Sequence, residues 1–265
     1  MRISLIQNDI IWEHKSANLM NYDSLFSGLA GKTDLVVLPE MCTTGFSMQS
    51  EKMAETNDGE TMMAMRRMSK DYGFAITGSF IGKNVEKTIK AEIKPDCFNR
   101  CFFICPDGNE AFYDKRHLFR MGEEPEHYQA GKDKTVVSYM GWNIRLVICY
   151  DLRFPVWCRN VKNEYDLLIV VANWPEARKH VWQCLLNARA LENMAYVCGV
   201  NRVGTDGLKI KYSGDSQLIN AYGTILSSGE PGVESVQTLD IDLDSLKRFR
   251  NKFPVWKDAD SFELL

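Results

Sequence analysis

Arg145-Leu146-Val147-Ile148-Cys149-Tyr150-Asp151-Leu152-Arg153-Phe154-Pro155 is the stretch on which the fold reading turns. After Arg145, Leu146–Cys149 is continuously apolar, which suits a strand covered on both faces. Pro155 stands where proline favours the first position of a helix. The segment therefore reads as a strand ending at Cys149 and a corner into a helix. Asp34-Leu35-Val36-Val37-Leu38-Pro39 has the same character, an apolar strand stopped by proline.

Working outward, Ile3–Gln7 reads as a strand, and Leu19, Tyr22, Phe26 and Leu29 mark a helical face with Ser16 as its cap. Thr61–Tyr72 reads as a helix and Phe74–Ile81 as a strand. Two hairpins follow, Arg100–Pro106 with Glu110–Lys115 and Thr135–Met140 with Asn143–Cys149, each turning at a glycine. Phe154–Val161 is expected to be a short helix and Asp166–Ala172 a strand. Val181, Cys184, Leu185, Ala188 and Leu191 mark a long helix before a strand at Ala195–Val200. Ser216–Asn220, Ile225–Ser228 and Ser235–Ile241 complete the strands. Strand–helix alternation interrupted by hairpins predicts mixed sheets layered with helices, an α/β sandwich.

Composition agrees with a packed globular chain. Of 265 residues, 45% are apolar and 25% charged, and no repeat, linker or low-complexity stretch divides residues 1–265. A net charge of −3 exerts no general pull on nucleic acid or anionic lipid. Eight cysteines at irregular spacing fit reduced thiols in the cytoplasm rather than a disulfide framework. The first residues turn polar too soon for a signal peptide, and no apolar run approaches the roughly 20 residues that span a bilayer.

Three strand ends carry chemistry. Cys149 sits at a strand-to-helix corner, near backbone N–H groups that favour a nucleophilic thiolate. Glu40, just beyond Pro39, lies at the sheet edge where open α/β folds bind ligands, in a place for a general base. Lys115 ends a strand before a long loop, 116–134, and its ammonium suits an oxyanion. Each has an ordinary reading too: a core cysteine, a solvated glutamate, a surface lysine. Together with Asn173-Trp174-Pro175 after another strand, they resemble a site built on one sheet edge.

Leu38-Pro39-Glu40, Asp114-Lys115-Arg116-His117-Leu118-Phe119, Cys149-Tyr150-Asp151-Leu152-Arg153-Phe154-Pro155 and Asn173-Trp174-Pro175 resemble, in this order, the nitrilase superfamily of carbon–nitrogen hydrolases. The likeness continues to Gly214-Asp215-Ser216-Gln217 and Tyr222-Gly223. Glu40-Met41-Cys42-Thr43-Thr44-Gly45-Phe46-Ser47 and His117–Gly122 are most similar to the omega-amidase group.

The resemblance implies a single-domain α-β-β-α sandwich and a Glu40–Lys115–Cys149 triad working through a thioester, with no metal or organic cofactor. It implies a second catalytic glutamate in the loop after Lys115. Counting back from Ala130-Gly131 favours Glu126, and counting forward from Lys115 gives Glu123. The substrate class implied is a small amide, 2-oxoglutaramate or 2-oxosuccinamate, with nitriles and N-carbamoyl amino acids as alternatives and an inert scaffold as the non-enzymatic one. Phe46, Tyr150 and Trp174 are expected to wall the pocket, with Arg153 and Arg116 as candidate cations for a substrate carboxylate. The family generally pairs, which implies a homodimer, and the apolar tail 253–265 is a candidate contact.

Other signals carry less. Cys97, Cys101 and Cys105 lack a convincing fourth ligand for a metal. His117 and His180 are read as structural or pocket-lining. The charge run of Lys83, Lys87, Lys90 and Lys94 with Glu86 and Glu92 reads as a solvated segment, and Lys247–Lys252 as a short exposed helix.

Overall fold

Along segment 35–38, Leu35 and Val37 point into one apolar cluster while Val36 and Leu38 point into another. That two-sided burial is why the run contains no polar residue, and it sets the layers of the molecule. The structure, a computed structural model, describes residues 1–84 and 96–264.

One six-stranded sheet has the order Ser235–Asp240, Arg2–Gln7, Leu35–Val37, Ala75–Lys83, Cys97–Ile104, Glu110–Asp114. The other has the order Ile225–Ser228, Gln217–Ile219, Tyr196–Asn201, Leu167–Ala172, Trp142–Ile148, Val136–Tyr139. Each has three parallel strands at its centre and antiparallel strands outside. Between the sheets, Ile3, Leu35, Val37 and Phe103 meet Ile144, Leu146, Ile169 and Val200. Helices Lys15–Ser27 and Glu60–Tyr72 bring Tyr22, Phe26, Met62 and Met65 onto the outer face of the first sheet. Helix Lys179–Asn193 covers the second with Trp182, Leu186 and Ala190. The layers are therefore α-β-β-α, as expected.

Several local expectations shift. The first helix is capped by His14, whose Nδ1 accepts from the Ala17 N–H, rather than by Ser16. The helix expected at Phe154–Val161 is only Pro155–Cys158, because residues 149–153 form their own 3₁₀ turn. Helix Leu243–Lys252 is exposed on one side only, since Arg250 is buried and pairs with Asp166 at 2.7 Å. A hairpin of two three-residue strands, Val203–Thr205 and Lys211–Ser213, has no counterpart in the sequence reading. Of the charge run, only Lys83 lies within the described residues. Among the described residues, no helix is long and apolar enough to cross a membrane.

Candidate active site

The parallel strands of both sheets deliver the site. Strand Trp142–Ile148 ends into a turn in which Cys149 takes a positive φ of 43°. That conformation costs a β-carbon-bearing residue about 1–3 kcal/mol and persists only where its surroundings impose it. Here Asp151 imposes it from within the turn. One carboxylate oxygen accepts from Ile148 N at 3.1 Å and Tyr113 Oη at 2.7 Å. The other meets His117 N and His117 Nδ1 at 2.9 and 2.8 Å. Arg189, paired with Glu192, also donates to the carbonyl of Leu152 at 2.6 Å. The Cys149 turn is thereby tied to the chain on both sides of Lys115.

Glu40, Lys115 and a second glutamate are fully buried together. Lys115 Nζ lies 2.9 Å from Glu40 Oε1 and 2.9 Å from each carboxylate oxygen of Glu124. Asn99 Nδ2 donates to both carboxylates, at 2.7 and 3.2 Å, and is held by Ser79. Asn173, after the neighbouring parallel strand, donates its backbone N–H to Glu40 Oε2 at 2.8 Å. The glutamate beside Lys115 is thus neither Glu126 nor Glu123. Glu124 opens the short helix Glu124–His127 and turns inward to accept from Phe119 N. Glu123 has a positive φ and stands exposed at the rim, and Glu126 is exposed on that helix. Gly131 returns the loop so closely to the Lys115 strand that a β-carbon there would stand 2.0 Å from the Asp114 carbonyl oxygen.

The electrostatics follow from one ammonium facing two carboxylates in a dry place. Burial disfavours the Lys115 ammonium, but the charges of Glu124, Glu40 and Cys149 outweigh it and hold its pKa above the ordinary value. Burial raises the pKa of Glu124, Lys115 pulls against that, and repulsion from Glu40 adds to it. Enclosure also pushes the Cys149 thiol well above its usual range, with Glu40 adding and Lys115 opposing. Burial and the neighbouring Glu40 thus both work against the thiolate expected at the strand-to-helix corner.

A cavity of about 470 Å³ opens above Cys149 and Lys115. Phe46, Tyr150, Trp174 and Arg153 line it, as expected, whereas Arg116 lies over the Trp157 ring outside the lining. Phe119, Arg178 and Tyr212 also line it and were missed, the last because it belongs to the unanticipated hairpin. His117 pairs with Asp151 and stacks on Phe154, and His180 lies beside Cys184, so neither histidine is a partner of Cys149. Among the described residues, no group of three His, Cys, Asp or Glu side chains could hold a metal ion.

With this geometry in view, comparison with known proteins is decisive for family. The carbon–nitrogen hydrolase profile matches residues 2–251. The chain belongs to that family. It is similar to omega-amidase YafV of Escherichia coli K12, 40% identical over 264 residues that cover 100% of this chain and 98% of the relative. The 2-oxoglutaramate amidase of Bacillus subtilis is 28% identical over 259 residues, 97% of this chain and 96% of that one. XC1258 from Xanthomonas campestris, a CN-hydrolase superfamily protein whose crystal structure carries an arsenic adduct in the active site, superposes with a TM-score of 0.94. It is 42% identical, covering 100% of this chain and 99% of its own. The nitrilase-superfamily resemblance, with its leaning toward omega-amidases, is borne out.

Proposed function

We propose that this carbon–nitrogen hydrolase cleaves the distal amide of short dicarboxylate monoamides, with 2-oxoglutaramate and 2-oxosuccinamate as the substrates to try first. The observation that carries the reading is Lys115, 2.9 Å from both Glu40 and Glu124, on the floor of the aromatic-walled cavity that holds Cys149. The names of the omega-amidase and 2-oxoglutaramate amidase relatives support the substrate class.

Because burial and Glu40 both disfavour a free thiolate at Cys149, the first step needs a base. Glu40 takes the Cys149 proton as sulfur attacks the amide carbon. The oxyanion is met by the Lys115 ammonium and by the N–H of Tyr150, in the first turn after the nucleophile, where N–H groups have no intrahelical acceptor. Protonated Glu40 then donates to the departing nitrogen, and ammonia leaves a thioester on Cys149. Water, giving its proton to Glu40, attacks the thioester, and the carboxylic acid leaves with the thiol restored. Glu124 holds Lys115 in place and balances its charge throughout.

The test is an ammonia-release screen of the protein and its Cys149→Ala variant across short amides, N-carbamoyl amino acids and nitriles. Turnover of a dicarboxylate monoamide at least tenfold above glutamine, asparagine and every nitrile, lost in the variant, is the expected result. Equal or better kcat/KM on a nitrile or an N-carbamoyl amino acid would overturn the substrate assignment. Cytoplasmic action and a homodimer belong to the same reading. Phe253, Phe262 and Leu264 are exposed in the tail, and that apolar surface suits a second copy of the chain.

A further inference from the structure

Two guanidinium groups line the cavity with no carboxylate partner among the described residues. Arg153 closes the turn that begins at Cys149, and Arg178 closes the turn Glu176–Arg178 that follows Asn173-Trp174-Pro175. Each is carried on an aromatic face, Arg153 Cζ 5.1 Å from the Trp174 centroid and Arg178 Cζ 5.3 Å from that of Phe119. The two shelves are joined, because Trp174 Nε1 donates to the Arg178 carbonyl at 3.0 Å.

Among the described residues, Arg100, Arg189, Arg202 and Arg250 each reach an aspartate or glutamate within ion-pair distance. Arg153 and Arg178 do not, although the exposed Glu123 lines the same cavity. Arg116, Arg120, Arg145 and Arg159 also have no carboxylate within ion-pair distance among these residues, but none of the four lines the cavity. Stacking on a ring holds a guanidinium by its flat face and leaves its N–H edge to bond a planar anion. A half-buried cation in a largely apolar cavity is unpaired at a cost unless an anion arrives.

We propose that Arg153 and Arg178 form a clamp for the free carboxylate of the substrate, so that the site selects short amides bearing one negative charge over neutral amides. The clamp rests on the amidase reading above and names its specificity residues, one of which, Arg178, lies outside the motifs that suggested the family.

The test compares Arg153→Gln, Arg178→Gln and Arg178→Lys with the parent protein on 2-oxosuccinamate and on neutral butanamide. In either Gln variant, kcat/KM for the charged amide should fall at least tenfold further than for butanamide, chiefly through KM, with total losses of roughly 10–100-fold. Arg178→Lys should recover part of the loss. Binding of 2-oxoglutarate to the Cys149→Ala protein, followed by calorimetry, should weaken by a similar factor when either arginine is also replaced by Gln. Equal losses on both amides, or unchanged 2-oxoglutarate binding, would overturn the clamp and leave the hydrolase reading standing. Arginine-dependent 2-oxoglutarate binding in a protein that releases ammonia from no amide would do the reverse.

Discussion

Lys115→Met is the substitution whose consequence the structure specifies most fully. Lys115 is the only cation within ion-pair range of Glu40 or Glu124 among the described residues, and all three side chains are fully buried. Removing it leaves two carboxylates facing each other in a dry site, and breaking a buried ion pair in this way costs about 3–5 kcal/mol. For a chain of this size that corresponds to a fall in Tm of roughly 6–20 °C. The cost must also depend on pH. The pKa of Glu124 is raised even with Lys115 opposing the rise, so loss of the ammonium lifts it further. A carboxyl whose folded pKa lies above its unfolded value, near 4.3 for Glu, contributes its stability below that value and loses it as pH rises through the folded pKa. The deficit of Lys115→Met should therefore be smaller near pH 4.5 than at pH 7.5. Urea unfolding of parent and variant at the two pH values measures this directly. The double variant Lys115→Met/Glu124→Gln should recover much of the loss, because Glu40 then keeps its bonds from Asn99 and Asn173 with no second charge beside it. A deficit below about 1 kcal/mol at pH 7.5, or one equal at both pH values, would refute the one-cation, two-carboxylate account of the site.

Cys149→Ala and Cys149→Ser should each abolish ammonia release while circular dichroism stays that of the parent; appreciable turnover in both would remove Cys149 as nucleophile. Glu40→Gln should slow acylation and deacylation alike in rapid-quench experiments, and a normal acylation rate would displace Glu40 as the first base. Glu124→Gln should lower kcat by about a hundredfold or more through misplacement of the oxyanion donor, whereas Glu123→Gln and Glu126→Gln should change it less than threefold; steady-state kinetics of the three variants decides which loop glutamate matters. Light scattering at micromolar concentration should give the mass of a dimer, and a monomer of 30.3 kDa would end the pairing proposal.

What was legible in the sequence is what depends on a strand's neighbours in sequence. Apolar runs at 35–38 and 146–148 announced buried strands, and the residues just beyond them, Glu40 and Cys149, stand where the runs end. Lys115 and Asn173 were found in the same way. The signal fails where position depends on how a loop folds back. Glu123, Glu124 and Glu126 are alike in kind and nearly alike in spacing from Lys115. Only the 3₁₀ turn Arg120–Gly122, the positive φ of Glu123 and the return at Gly131 decide which of them enters the site. The hairpin that brings Tyr212 to the cavity has strands of three residues, too short to show a period. Arg116 and Arg178 show the same limit. Arg116 lies inside a motif and Arg178 just beyond one, yet the first sits over Trp157 outside the cavity lining and the second over Phe119 within it.

The protonation state of Cys149 lay furthest beyond sequence reasoning, and it bears most on mechanism. A corner of exposed N–H groups argues for thiolate, and in an open site that argument would carry. In this site Glu40 adds to the enclosure that already disfavours a second negative charge beside it. The same pairing that raises the thiol pKa puts a base close to the proton it must take. Once that proton has moved, Glu40 is neutral and Cys149 carries the negative charge, so the total charge facing Lys115 is unchanged. The proton shift therefore needs little reorganisation of the surrounding dipoles, which is the condition under which a fixed, water-poor site speeds a reaction that moves charge. A preformed thiolate would instead add a third negative charge to a pocket with one ammonium, and burial first, with the charge of Glu40 added to it, raises the pKa values of both Cys149 and Glu124.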